Sequence, residues 1–259
     1  MCAFLSVLSN LFEAYLSKEV LSVMKNGKYI LTVLLLSTVV LGLCIQGSRA
    51  VSAFSEEMLQ KRKHTMVIDA GHGGVDGGAT SCTGKLESAY NLEISLRLRN
   101  LFQLLGYPTY MVRTTDTSVY TKGNTIAAQK MSDLKERVRM VNDSENNLLV
   151  SIHQNNFSDS RYSGAQVFYA DTEGSRELAE RMQIGLVQTL NPGSKRKVKK
   201  AEGIYLMEHI ENPGILVECG FLSNPEEEAK LSDPAYQKKL CCVIAAVMAE
   251  FVQSQYANT

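Results

Sequence analysis

The chain has 259 residues, and its 27 basic and 27 acidic side chains cancel, so nothing in the charge balance favours a nucleic-acid partner. Its six cysteines include no CxxC pair, which excludes a cysteine-rich zinc site and gives no sign of a disulfide framework. From about residue 64 to residue 256 there is room for one ordinary domain with a sizeable core.

In chain order, the first distinctive segment is an uncharged run over residues 29–45, YILTVLLLSTVVLGLCI, close to membrane-spanning length. Lys25 and Lys28 precede it, and small residues at 48–53 follow at the spacing of a signal-peptidase site. Residues 1–53 are therefore expected to form a leader, either a signal anchor or a cleaved signal peptide. Met24 is a natural start for that signal, and residues 1–23 read as an amphipathic leader or as the product of an unused upstream start. A charged linker is expected over 54–64 and the main domain over 65–256. The chain is expected to be exported, held at the membrane by this segment or released.

A strand is expected at 65–69, then a glycine-dense loop through His72 to Gly78. Tyr90, Ile94, Leu98, Leu101 and Leu105 recur at helical spacing and predict a helix over 87–105 that Gly106 ends. A strand follows at 107–113, and Ser132 or Asp133 is expected to cap a helix reaching about residue 142. Further strands are expected at 147–153 and 164–169, a helix at 173–190, strands at 203–208 and 214–218, and a closing helix at 234–252. The basic run at 195–200 reads as a solvated loop. This alternation argues for an α/β domain around a largely parallel sheet.

Three apolar runs each end in a chemically capable side chain: MVIDAGH at His72, NLLVSIH at His153 and GILVE at Glu218. Ligands of open α/β sheets bind outside the carboxyl ends of the strands, so these groups should share one edge. Glu87 falls on the apolar stripe of the helix that follows the glycine loop, where an unpaired carboxylate is costly. Taken singly, each has a plainer reading: Glu87 as a first-turn acid, His72 as a turn residue, His153 as a satisfied core histidine, Glu218 as a salt-bridge partner. Together, two imidazoles and one carboxylate can hold a tetrahedral zinc with an open position, and a further carboxylate can move protons. A phosphate-binding loop is excluded, because Leu86 stands after Gly84-Lys85 where Ser or Thr is needed. Cys219 reads as inert packing, and His64 and His209 as bystanders.

The motifs VIDAGHGG, GKLE, DLKERV, SIHQN and ILVECGFLSN, in that order over residues 65–252, resemble those of the zinc-dependent N-acetylmuramoyl-L-alanine amidases, the amidase_3 group. The resemblance implies a three-layer α/β sandwich with a mostly parallel, about six-stranded sheet flanked by helices. It implies one Zn2+ per chain on His72, Glu87 and His153, with Glu218 as the catalytic carboxylate. It implies hydrolysis of the amide between N-acetylmuramic acid and L-alanine in peptidoglycan. Within the family the chain looks most like the germination-specific amidases of the spore cortex, which prepare muramic acid for δ-lactam formation. Arg137 and Asn155 are candidates for contacts to substrate or to the back of a ligand. No wall-binding repeats are evident, so targeting falls to the membrane segment, the substrate groove or a partner such as an activator protein. The same chemistry also admits a non-catalytic peptidoglycan-binding protein, or another zinc deacetylase or peptidase on this fold.

Overall fold

The structure is a computed structural model that describes residues 30–61 and 63–257. The chain separates into two compact units, Met1–Glu57 and Met58–Thr259. Helix α1 (Ile30–Lys61) is continuous, so residues 54–61 are helical where a linker is expected. Along it Leu34, Leu35, Leu36, Val39, Val40, Leu41, Leu43 and Ile45 are exposed. Among the described residues no helix is long and apolar enough to cross a membrane. Met24, Lys25, Lys28 and the rest of residues 1–29 lie outside the described residues, so the start of the expected signal does too.

The second unit is built on a six-stranded sheet in the order β2-β1-β3-β6-β4-β5. Its strands are β1 (Thr65–Ala70), β2 (Thr109–Met111), β3 (Asn147–Asn155), β4 (Gln166–Tyr169), β5 (Lys199–Lys200) and β6 (Gly214–Phe221). All neighbours run parallel except β4 and β6. The central strands are buried on both faces, which explains their unbroken Val, Ile and Leu runs. On one face Ile68, Val150, Ile152 and Val217 pack with Tyr90, Ile94 and Leu98 of α2 (Glu87–Leu104), Leu178 and Met182 of α4 (Ser175–Thr189), and Leu240 and Ile244 of α7 (Pro234–Ala257). On the other, Val67, Leu149 and Leu216 meet Val141 of α3 (Ile126–Val141) and Leu206 and Met207 of α5 (Tyr205–His209). The result is the three-layer α/β sandwich with a mostly parallel sheet.

Several elements differ from expectation, each for a local reason. Helix α3 begins at Ile126, where Thr125 accepts a hydrogen bond from the Ala128 N–H. Ser132 and Asp133 instead accept hydrogen bonds from the N–H groups of Thr121, Lys122 and Val119, pinning the preceding loop to the helix. The segment expected as a strand at 203–208 is the short helix α5, whose adjacent Leu206 and Met207 are both buried. Residues 199–200 form an edge strand paired with Phe168 and Tyr169. Its two exposed lysines discourage further pairing. Helix α6 (Pro225–Ser232) carries strong start signals: Asn224 accepts from the N–H groups of Glu226 and Glu227, and Pro225 opens the first turn.

Candidate active site

Strand β1 ends at Ala70, and two residues later His72 sits in the left-handed region at φ 60°, which no other non-glycine described residue adopts. Its Nδ1 lies 3.0 Å from Asp76 Oδ2, in the same loop, and this leaves Nε2 facing Glu87 Oε2 at 3.3 Å. Glu87 is the first residue of α2, the helix that lays Tyr90, Ile94 and Leu98 against the sheet. Glu87 Oε2 also accepts from the Ala79 N–H. Its Oε1 accepts from the Gln154 N–H and the Asn91 Nδ2, and lies 3.0 Å from His153 Nδ1. Asn91, one turn along the helix, donates as well to the Gly71 carbonyl and so ties the carboxylate to the His72 loop.

His153 and Glu218 are partners in the β3–β6 register, side by side on one face. Both strands run past these residues, β3 to Asn155 and β6 to Phe221, so neither residue is a strand terminus as expected. A bulge between His153 and Asn155 loosens the pairing there. The His153 ring lies flat against Gly71, where a Cβ would sit 2.2 Å from Nε2, so Nδ1 is the nitrogen presented to Glu87. Glu218 Oε2 is buried without a hydrogen-bond partner among the described residues.

Electrostatics separates the two carboxylates. Burial would raise the Glu87 carboxyl, but hydrogen bonds from His153 and His72 hold it far below the usual carboxylate range. Burial, with the neighbouring Glu87 charge, pushes Glu218 up to about 7 against the pull of His153. Burial would lower His72, yet Glu87 and Asp76 raise it to about 9. Two carboxylates whose proton affinities are driven apart are suited to different tasks, one as a fixed anion and one as a proton carrier.

His72, Glu87 and His153 fit a metal ion. One donor atom from each lies within 4.8 Å of the others. His72 Nε2 lies 3.3 Å from Glu87 Oε2 and His153 Nδ1 lies 3.0 Å from Glu87 Oε1, so the carboxylate turns one oxygen to each ring, and two imidazoles with one carboxylate are a donor set that suits zinc. Asp76 behind His72 is the usual carboxylate partner of a ligating imidazole.

The other residues singled out in the sequence make different contacts. Arg137 is buried and bonds inward: to Asp69, to Asp133 Oδ2 at 2.6 Å, and to the carbonyls of Ala70 and His72. It supports the His72 loop from behind. Asn155 closes β3, and its carbonyl accepts from the Leu222 N–H. Cys219 is buried, and burial drives its thiol well above the usual range, in keeping with inert packing. His209 stacks on Tyr205 with ring centroids 3.9 Å apart. Asp76 and Asn91 were not foreseen, although each stands four residues from a candidate ligand on the chain, a spacing that could have found them.

The family model described as N-acetylmuramoyl-L-alanine amidase (Amidase_3) matches residues 66–250. The germination-specific N-acetylmuramoyl-L-alanine amidase of Bacillus subtilis is 41% identical over 180 residues, covering 68% of this chain and 75% of that protein. The CwlD amidase of Clostridioides difficile, solved in complex with the GerS lipoprotein, is 36% identical with a TM-score of 0.70, covering 74% of this chain and 99% of that one. An N-acetylmuramoyl-L-alanine amidase from Clostridium difficile 630 is 30% identical with a TM-score of 0.63, covering 74% and 97%. With its sheet and these likenesses in agreement, the chain belongs to the N-acetylmuramoyl-L-alanine amidase family of peptidoglycan hydrolases.

Proposed function

We propose that this chain cleaves the amide between N-acetylmuramic acid and L-alanine with one Zn2+ held by His72, Glu87 and His153, and with Glu218 as the proton carrier. The observation that carries the reading is the unpartnered, buried Oε2 of Glu218 beside the three-donor cluster. A bound zinc supplies Lewis acidity, polarising the scissile carbonyl and acidifying a water. Glu218, poised near neutrality, would take a proton from the attacking water and pass it to the departing alanine nitrogen. Asp76 holds the His72 ring so that Nε2 faces inward, and Asn91 and the Gln154 N–H keep Glu87 in place. Arg137 supports the His72 carbonyl, and Asn155 stands two residues past His153 at the rim.

The biological setting is the spore cortex, a reading supported by the germination-specific relative at 41% identity and the CwlD neighbour at 36%. Export fits action on peptidoglycan, and the exposed apolar residues of α1 fit a membrane-proximal segment. The neighbour solved with a lipoprotein supports an activating partner of that kind. Digestion of purified peptidoglycan by the protein, with and without chelator, tests the activity. Free lactyl groups on muramic acid and peptides beginning with alanine are expected, and lost on chelation. Cleavage within the stem peptide, or release of acetate, would instead select the peptidase or deacetylase reading.

A further inference from the structure

We infer that Arg113 is a positioning residue that sets the spacing between the His72 and Glu87 donors, acting through their backbones without touching the reacting atoms. The inference rests on the metal reading above. Arg113 follows β2, and its side chain is completely buried. Its Nε donates to the Ala70 carbonyl at 2.8 Å, its Nη2 to the carbonyls of Gly71 and Ser88 at 2.9 Å each, and its Nη1 to Thr115 at 3.0 Å. One planar group thus joins the two residues that lead into His72 with the residue that directly follows Glu87.

As a stabiliser alone this guanidinium is a poor choice. Its four hydrogen bonds all run to neutral carbonyls, and the nearest carboxylate, exposed Asp116, lies 4.0 Å from Nη1. Arg137, by contrast, meets both Asp69 and Asp133. Asp69 and Asp133 act on Arg113 only at longer range and against the repulsion of Arg137, so burying this cation is costly, and an apolar side chain of similar volume would avoid that cost. What an apolar residue cannot supply is the rigid fork that fixes several acceptors at once. The loop is also shaped around the group. Gly73, at φ +130°, approaches so closely that a Cβ would sit 2.8 Å from Arg113 Nε. His72 itself holds a left-handed backbone, a conformation that persists only when its surroundings over-determine it. Arg113 holds the carbonyl just before it, and Arg137 holds its own.

The test uses the full-length protein with Co2+ as probe, read by chelator competition and by the visible absorption of the bound ion. Arg113→Lys keeps the charge and loses the fork. Arg113→Met removes the charge and fills the space. Both are expected to weaken Co2+ binding by about tenfold or more and to change the absorption spectrum. The Met variant should do so with its melting temperature maintained, which a merely structural role would not produce. Leu240→Ala, a cavity under α7, should lower the melting temperature while leaving affinity and spectrum unchanged. Wild-type affinity and spectrum in both Arg113 variants would overturn the inference, as would an equal loss of affinity in Leu240→Ala. A wild-type protein that binds no Co2+ at all would instead overturn the metal reading on which it stands.

Discussion

Replacing Gly71 with alanine probes the seating of His153 through a single methyl group. The added Cβ would lie 2.2 Å from His153 Nε2 and 2.3 Å from its Cε1, whereas ordinary contact begins at 3.4 Å. The backbone cannot yield easily, because the Gly71 N–H donates to the Ile152 carbonyl and the Gly71 carbonyl accepts from Asn91 and Arg113. The imidazole must therefore retreat by about 1 Å, and a misplacement of about 1 Å at a reacting centre costs on the order of 100-fold in rate. That factor corresponds to about 2.7 kcal/mol of transition-state stabilisation. Overpacking adds about 1–3 kcal/mol of lost stability, which a melting curve reads separately. Turnover on purified muropeptides and zinc content by elemental analysis together make the assay. Wild-type turnover and stoichiometric zinc in Gly71→Ala would refute the idea that His153 Nδ1 is held in place by contact with the Gly71 backbone.

Glu218→Gln should retain metal and lose about 100- to 10,000-fold in turnover, the span of general acid–base catalysis, and unchanged hydrolysis would remove this carboxylate from the mechanism. In the wild type the base must be unprotonated, so activity should rise with pH through a limb at or below about 7, lower if a bound dication stabilises the anion. Activity that falls as the pH rises from 5 to 7 would contradict that role. Asp69→Asn leaves the buried Arg137 without its nearest counter-charge and should destabilise by about 3–5 kcal/mol in denaturant titration. Burial tends to raise Asp69, but Arg137 and His153 hold its carboxyl below the usual value of 3.8. Its contribution is therefore complete above that pH and is lost as pH falls further, so acid should erase the difference between wild type and Asp69→Asn. A gap that does not narrow at all as the pH falls below 3.8 would show that the pair does not act through charge.

Much of the fold was legible because buried parallel strands advertise themselves as short aliphatic runs. The same runs located His72, His153 and Glu218, and the helical stripe added Glu87. The misreadings have one cause in common: local pattern stands in for a tertiary decision. Gly203 through Glu208 looks like a strand, yet Leu206 and Met207 bury together only on a short helix against the sheet. Ser132 and Asp133 have the chemistry of caps, and they serve a loop that approaches from outside the helix. Arg113 closed an expected strand and gave no hint of its role, because its acceptors are carbonyls of segments distant in the chain, and carbonyls carry no side-chain identity. Strand ends were less informative than they looked, since β6 continues three residues beyond Glu218 and the carboxylate lies within the sheet.

The strand order has a consequence for how this molecule comes to life. The last strand made, β6, sits between β3 and β4. Without it, β2-β1-β3 and β4-β5 share no strand pairing, and His153 has no neighbour in register where Glu218 belongs. Such late, long-distance pairing is slow relative to local structure. The pairing that sets Glu218 beside His153 is therefore made by the strand the chain supplies last, and completing the sheet and assembling this cluster are one and the same event.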